Sequence, residues 1–286
     1  VDERLLSGGV RGQGLGQERT GGNIHPRNTQ PLFNLHAMDR MFWDGRVEVD
    51  ASGALRTPAA PGEITPEMEA VFEFGAVSAQ AMFPALERNE MRGHRFTNGP
   101  NPNEMAGDLE RPEIWAAMMT RLGAFPEYRA LFEAAYPGTD FDDMTFAHAA
   151  NAMAGFEIRA FESRGSRFQQ FLEGDLRALT NRELRGAQEF FESGCADCHS
   201  GPMLSDMEMH NTGLAQFGPG TGDGLHENDD FGRAGVEGPL TRGGFQQSIR
   251  DRFRQDGLGA PPPHSGIPGD NPLQLYAYRT PPLNNV

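Results

Sequence analysis

Both cysteines of this 286-residue chain fall in one pentapeptide, Cys195-Ala196-Asp197-Cys198-His199. Two thiols three positions apart on a helical turn present their sulfurs to one side. Each can add to one vinyl group of a haem as a thioether, and the histidine after the second cysteine then faces the iron. The spacing therefore predicts Cys195 and Cys198 as attachment points for haem c and His199 as an iron ligand. Competing chemistries fit less well. A structural zinc site needs four ligands, and the chain has no second cysteine pair. A thioredoxin-like redox pair needs a βαβ context, which is missing. A disulfide closing so short a loop would add little stability.

A chain that must wrap a haem needs apolar residues and long connections. The 20 phenylalanines and 13 methionines supply the first; 36 glycines and 21 prolines supply the second. Helical patterning begins near Thr65, a capping residue followed by Pro66, Glu67 and Glu69, and continues through Val71, Phe72, Phe74, Val77 and Met82. Further helices are predicted from Pro112 to Leu122, closed by Gly123, and from Tyr128 to Ala135, closed by Pro137 and Gly138. A long one follows from about Asp142 to Ser163. The last predicted helix starts at the capping box of Thr180 and Glu183 and ends at Gly194. Alternating strand-like runs are nearly absent, and the chain from Ser200 onward reads as loop. The expected fold class is mainly α, with long irregular loops and a boundary near residues 172–180. That divides the chain into residues 1–175 and 176–286.

The net charge is −15, and no lysine is present, so all 25 basic residues are arginine. Schiff-base chemistry is thereby excluded. An acidic surface disfavours nucleic acid and suits a basic soluble partner, although such a charge also simply keeps a protein in solution. No apolar run approaches the ~20 residues of a membrane helix. The glycine-rich residues 1–31 follow no strand and match no dinucleotide fingerprint. Haem attachment of this kind implies export and a periplasmic location, and a chain starting at Val1 fits a processed one.

Several segments together resemble the bacterial di-haem cytochrome c peroxidases and their MauG-like relatives. They are the stretch from Gly186 to Asp206 around the pentapeptide, then His210 to Gly213, Asp230 to Arg233 and Tyr278 to Val286. Upstream, Pro26 to Thr29 and Phe42 to Arg46 also match. The resemblance implies two cytochrome c-like haem domains. An N-terminal haem reacts with hydrogen peroxide, and a second haem, here the one ligated by His199, receives electrons from a small cytochrome c or cupredoxin. Gln80, Pro84 and Glu90 match the spacing of the family's peroxide pocket, where the carboxylate acts as general acid–base. From residue type alone Glu90, between Arg88 and Arg92, would read as a solvated acid. Trp43 matches a tryptophan that lies between the haems and can relay electrons, and it could equally be an ordinary core aromatic. Asn28 matches a calcium ligand between the domains; an amide oxygen suits a hard cation, while an asparagine in such a loop is also a common turn residue. The family often forms dimers, so a homodimer is implied.

The chain departs from the pattern in three places. The family's first C-x-x-C-H is absent, and the sequence stops at Val286, before the stretch that usually supplies the sixth ligand of the second haem. The chain thus reads as the central portion of a longer protein, with a second haem expected in the whole. Met207, Met209 and His210 lie close in sequence to His199 but match no ligand position of the family. Finally, the tryptophan through which MauG-like members oxidise a protein substrate is replaced by Ser193. Two alternatives follow: a one-haem electron-transfer protein, or a MauG-like enzyme acting on a partner protein.

Overall fold

The computed structural model describes residue 27 and residues 29–86, 110–212, 232 and 277–283. Among these, seven α-helices dominate: α1 (Pro66–Glu69), α2 (Ala76–Gln80), α3 (Arg111–Gly123), α4 (Pro126–Ala135), α5 (Phe146–Ala160), α6 (Arg167–Leu172) and α7 (Asn181–Glu192). The class is mainly α, as expected. Strand is confined to short pieces. β1 (Arg40–Met41), β2 (Val47–Val49) and β3 (Leu55–Arg56) form one antiparallel sheet, and β4 (Met209–His210) pairs with β5 (Tyr278–Arg279).

The helix expected from Thr65 onward is broken in two. Thr65 does cap α1, accepting from the Met68 N–H at 3.3 Å. The chain then turns at Gly75, whose φ of +53° a side chain would rarely adopt, before α2 begins. A distant residue stabilises the break. Asn151 of α5, 5 % exposed, accepts from the Glu73 N–H at 3.0 Å and the Ser78 hydroxyl at 2.8 Å. Periodicity cannot register a partner 78 positions away.

α2 packs on α5, and small residues make the close approach possible. Ala147, Ala150 and Ala154 are fully buried at spacings of three and four, facing Ala76, Val77 and Ala79. The other side of α2 rests on β1 and β2. Trp115 of α3, 2 % exposed, donates its indole N–H to the Met82 carbonyl at 2.8 Å and meets Phe83 edge to face at 6.4 Å. That contact fixes the segment leaving α2.

The small sheet went unforeseen because its strands hold only two or three residues. Met41 and Val47 are its fully buried pair, and Arg40 and Glu48 form a cross-strand ion pair at 2.8 Å. The β1–β2 turn is anchored from below. Asp44, 1 % exposed, takes Arg27 at 2.5 Å and Arg46 at 3.1 Å.

A half-buried histidine makes stability pH-dependent. His148 sits at the start of α5, where its Nδ1 accepts from the Thr145 N–H at 3.1 Å. Burial pushes its pKa below the usual 6.5. The unfolded chain therefore takes up a proton near pH 6.5 while the folded chain resists it. More protons bound in the unfolded state means that stability falls as pH drops through that value. Thermal melts at pH 7 and pH 5 should show this loss, and His148→Gln should shrink the difference between them.

Candidate haem site

The pentapeptide lies directly behind α7. The capping box holds as expected: Thr180 accepts from the Glu183 N–H at 3.3 Å, and Glu183 accepts from the Thr180 N–H at 2.7 Å. α7 closes at Glu192, and Gly194, at φ +82°, swings the chain into a 3₁₀ turn over Cys195–Asp197. The His199 N–H then bonds the Cys195 carbonyl at 2.9 Å, so cysteines and histidine share one helical turn. Both cysteines are free thiols; Cys195 is exposed and Cys198 half-buried.

The histidine ring is set for ligation. His199 Nδ1 lies 2.9 Å from the Leu204 carbonyl oxygen, so this nitrogen carries the proton and donates it. Nε2 is left as the lone-pair donor, which is how metal-ligating histidines are commonly oriented. Leu204 reaches that position with φ +48°, a left-handed conformation uncommon for leucine. The loop is held by Ser205 N–H to Ser200 O at 2.7 Å and Asp206 N–H to Cys198 O at 2.8 Å.

α7 itself matches a haem contact. Its apolar residues Leu184, Ala187, Phe190 and Phe191 follow helical spacing, yet none of the helix is buried and Phe191 is 58 % exposed. Phe190 lies 6.4 Å from the His199 ring. Leu172 and Leu176, which precede α7 in the chain, are also exposed, at 67 % and 73 %. An apolar stripe beside two thiols and an oriented imidazole suits the flat apolar face of a porphyrin, and these residues fit haem c.

Cys198, Asp206 and His210 also bring donor atoms within 4.8 Å of one another. A zinc site would need a fourth ligand, and none joins them among the described residues. Asp206 is engaged by His210 Nε2 at 2.7 Å and by the Glu208 N–H at 3.0 Å. Burial alone would raise the Asp206 carboxyl, but hydrogen bonds from Glu208, Thr280 and His210 outweigh it and hold the pKa below the carboxylate norm. The cluster is a brace for the loop. It also occupies His210, while the Met207 sulfur is turned to Arg279 Nη1 at 3.6 Å.

A second strand joins this loop to the N-terminal part of the chain. β5 pairs with β4, the Thr280 N–H reaches the Glu208 carbonyl at 3.0 Å, and the Ser205 hydroxyl donates to the Thr280 carbonyl at 2.7 Å. On its other side the Arg279 N–H donates to the Trp43 carbonyl at 2.8 Å, and the Arg279 guanidinium lies 5.7 Å from the Trp43 ring. Trp43 thus sits half-buried in the β1–β2 turn, one residue away from the haem-motif loop by way of Arg279. Arg40 makes a parallel link, donating to the Met207 carbonyl at 2.7 Å. Burial first, and then the charge of Arg40, pull Arg279 down to about 10, still a cation at neutral pH. Sequence reasoning assigned Arg279 no role, although it lies in the Tyr278 to Val286 segment that carries the resemblance.

Of the residues matched to the peroxide pocket, Gln80 ends α2, 9 % exposed, and Pro84 opens the following 3₁₀ turn. The two flank Met82, whose carbonyl accepts the Trp115 indole N–H. Glu90 and Asn28 lie outside the described residues, as do His25, His94, His226 and His264. His36 is exposed.

Comparison with known proteins places these features. A family profile described as di-haem cytochrome c peroxidase matches residues 4–177. The pentapeptide lies past that match, so its haem reading stands on motif and geometry. The chain is 35 % identical over 114 residues to a cytochrome c551 peroxidase of Nitrosomonas europaea, covering 40 % of this chain and 31 % of that protein. It is 25 % identical to the cytochrome-c peroxidase IdrP1 of Denitromonas iodatirespirans, covering 93 % of this chain and 54 % of the other. The methylamine utilization protein MauG of Methylorubrum extorquens is 27 % identical over 66 % of this chain and 40 % of its own length. This chain therefore spans about half or less of these relatives. The fold is shared with a crystal structure of a MauG-like protein associated with microbial copper homeostasis, at TM-score 0.50 and 21 % identity, covering 94 % of this chain and 58 % of that one. The chain belongs to the di-haem cytochrome c peroxidase family.

Proposed function

We propose that the complete protein is a periplasmic haem c peroxidase. It reduces hydrogen peroxide to two waters with two protons and two electrons from a small cytochrome c or cupredoxin. The observation that carries this reading is the His199 ring, oriented by Leu204 beside two free thiols in a chain of this family. When bound, haem supplies the iron and reversible one-electron storage. Cys195 and Cys198 hold it covalently, and α7 covers its apolar surface. Residues 176–286 form the electron-receiving domain and residues 1–175 the peroxide-side domain, whose own haem is attached elsewhere in the complete protein.

The acid–base work belongs to Glu90. It takes the proton from one peroxide oxygen and returns it to the other, which leaves as water when the O–O bond breaks, and the remaining oxygen becomes the second water with the two donor electrons and two protons. Gln80 and Pro84 shape the same pocket, and Trp43 lies on the route between the halves. Asn28 is the candidate ligand for a calcium ion between the domains, and the whole protein forms a homodimer. In the two-haem protein, Glu90→Gln should lower peroxide turnover by about a hundredfold or more. The absorption spectrum of the His199 haem should stay unchanged. Turnover that survives intact would remove Glu90 from the acid–base role.

A MauG-like reading, with a partner protein as the substrate, is less well supported. Ser193 stands where that chemistry would use a tryptophan, and its hydroxyl lies 3.3 Å from the Cys195 sulfur.

A further inference from the structure

A cavity of about 680 Å³ opens between β2, β3 and the segment that leads into α1. Arg46 is the buried cation in its wall, 7 % exposed. Two contacts fix the guanidinium. Its Cζ lies 3.6 Å from the centroid of the Phe42 ring, and Nη1 donates to Asp44 Oδ2 at 3.1 Å, with Oδ1 at 3.4 Å. That carboxylate is shared with Arg27. Nε and Nη2 of Arg46 make no hydrogen bond among the described residues. They are not sealed in either, because the one sealed and unpartnered side-chain polar atom among these residues is Nη2 of Arg279. The Nε–Nη2 edge of Arg46 therefore opens on the cavity. A guanidinium held this deep, with one edge unused, is completed by a ligand that accepts two hydrogen bonds.

The rest of the wall defines that ligand. Two parallel N–H groups on a planar edge match the two oxygens of a carboxylate. Glu48, paired with Arg40 at 2.8 Å, and Glu69 line the same space, so a second negative charge on the ligand is repelled. Leu55, Ala59 and Ile64 supply an apolar surface for hydrocarbon. We propose that this cavity binds a small aliphatic monocarboxylate. Its carboxylate sits on the Nε–Nη2 edge of Arg46, and its hydrocarbon lies against Leu55 and Ile64.

The test reads binding rather than turnover, so it stands apart from the peroxidase reading. Butyrate titrated into the haem-loaded protein should give a saturable heat in calorimetry, with one site per chain. Butyramide has the same shape without the charge and should bind more weakly, as should the dianion succinate. Arg46→Lys keeps the charge beside Asp44 but replaces the two-pronged edge by a point donor. That change should weaken butyrate roughly tenfold. A heat that does not saturate, equal affinity for butyramide or succinate, or an Arg46→Lys variant that binds butyrate as the parent does would each overturn the proposal. If that variant does not fold, the location is read in the unmodified protein by nuclear Overhauser contacts. Contacts between the butyrate methyl and the methyl groups of Leu55 and Ile64 support the site, and their absence at saturation overturns it.

Discussion

Replacing Cys195 and Cys198 together by alanine will leave the chain with no covalently bound haem, and the visible absorption of the purified protein will lose the contribution of the His199 haem entirely. The expected effect on the His199 haem is all-or-none because residues 1–286 hold no other thiol. A single replacement leaves one thioether and the His199 ligand, so haem is retained at lower yield and with a shifted reduced-state band. The double variant also tests the role of α7. A 12-residue helix is marginal alone in water, and this one has no buried residue. Its apolar stripe contributes about 25 cal/mol for each Å² it covers. Without the porphyrin face, residues 181–199 should become the first segment cut in limited proteolysis, while α2 and α5 stay protected. Equal protection in both forms would mean that α7 is held by something other than haem.

The second large effect is at Trp115. Trp115→Ala removes a buried aromatic, its edge-to-face contact with Phe83 and the hydrogen bond to Met82. Large-to-small changes of this kind cost about 3–5 kcal/mol, and a chemical-denaturation midpoint should fall accordingly. Trp115→Phe keeps the ring but leaves the Met82 carbonyl unmet, for a cost nearer 1–2 kcal/mol, roughly that of one lost hydrogen bond. The ordering also bears on chemistry. Met82 stands between Gln80 and Pro84, so loosening it should lower peroxide turnover even at temperatures where Trp115→Phe is fully folded. A Trp115→Phe variant as active as the parent would show that this anchor does not shape the pocket.

What could be read from the sequence was covalent or local. The haem motif was legible because thioether chemistry dictates its spacing, and the Thr180–Glu183 capping box because its partners lie three residues apart. Thr65 and Gly123 marked helix ends by the same local logic. The break at Gly75 was not legible, because Asn151 stabilises it from another helix. The sheet of β1 to β3 was missed because its strands are too short to alternate. Arg279 was hidden for a further reason. Its environment comes from Trp43, Met207 and Arg40, which lie 72 or more positions away, so nothing near it in the chain reports its burial. Gln80 and Pro84 came from the resemblance alone. Met82, between them in the chain, is the residue whose carbonyl the Trp115 indole holds.

The most direct test of the functional account is the peroxide-dependent oxidation of a reduced small cytochrome c by the complete protein carrying both haems. The account predicts steady turnover in which two equivalents of donor are oxidised for each peroxide consumed. A fully haem-loaded protein that exchanges electrons with the donor yet consumes no peroxide would contradict it and leave an electron carrier in its place.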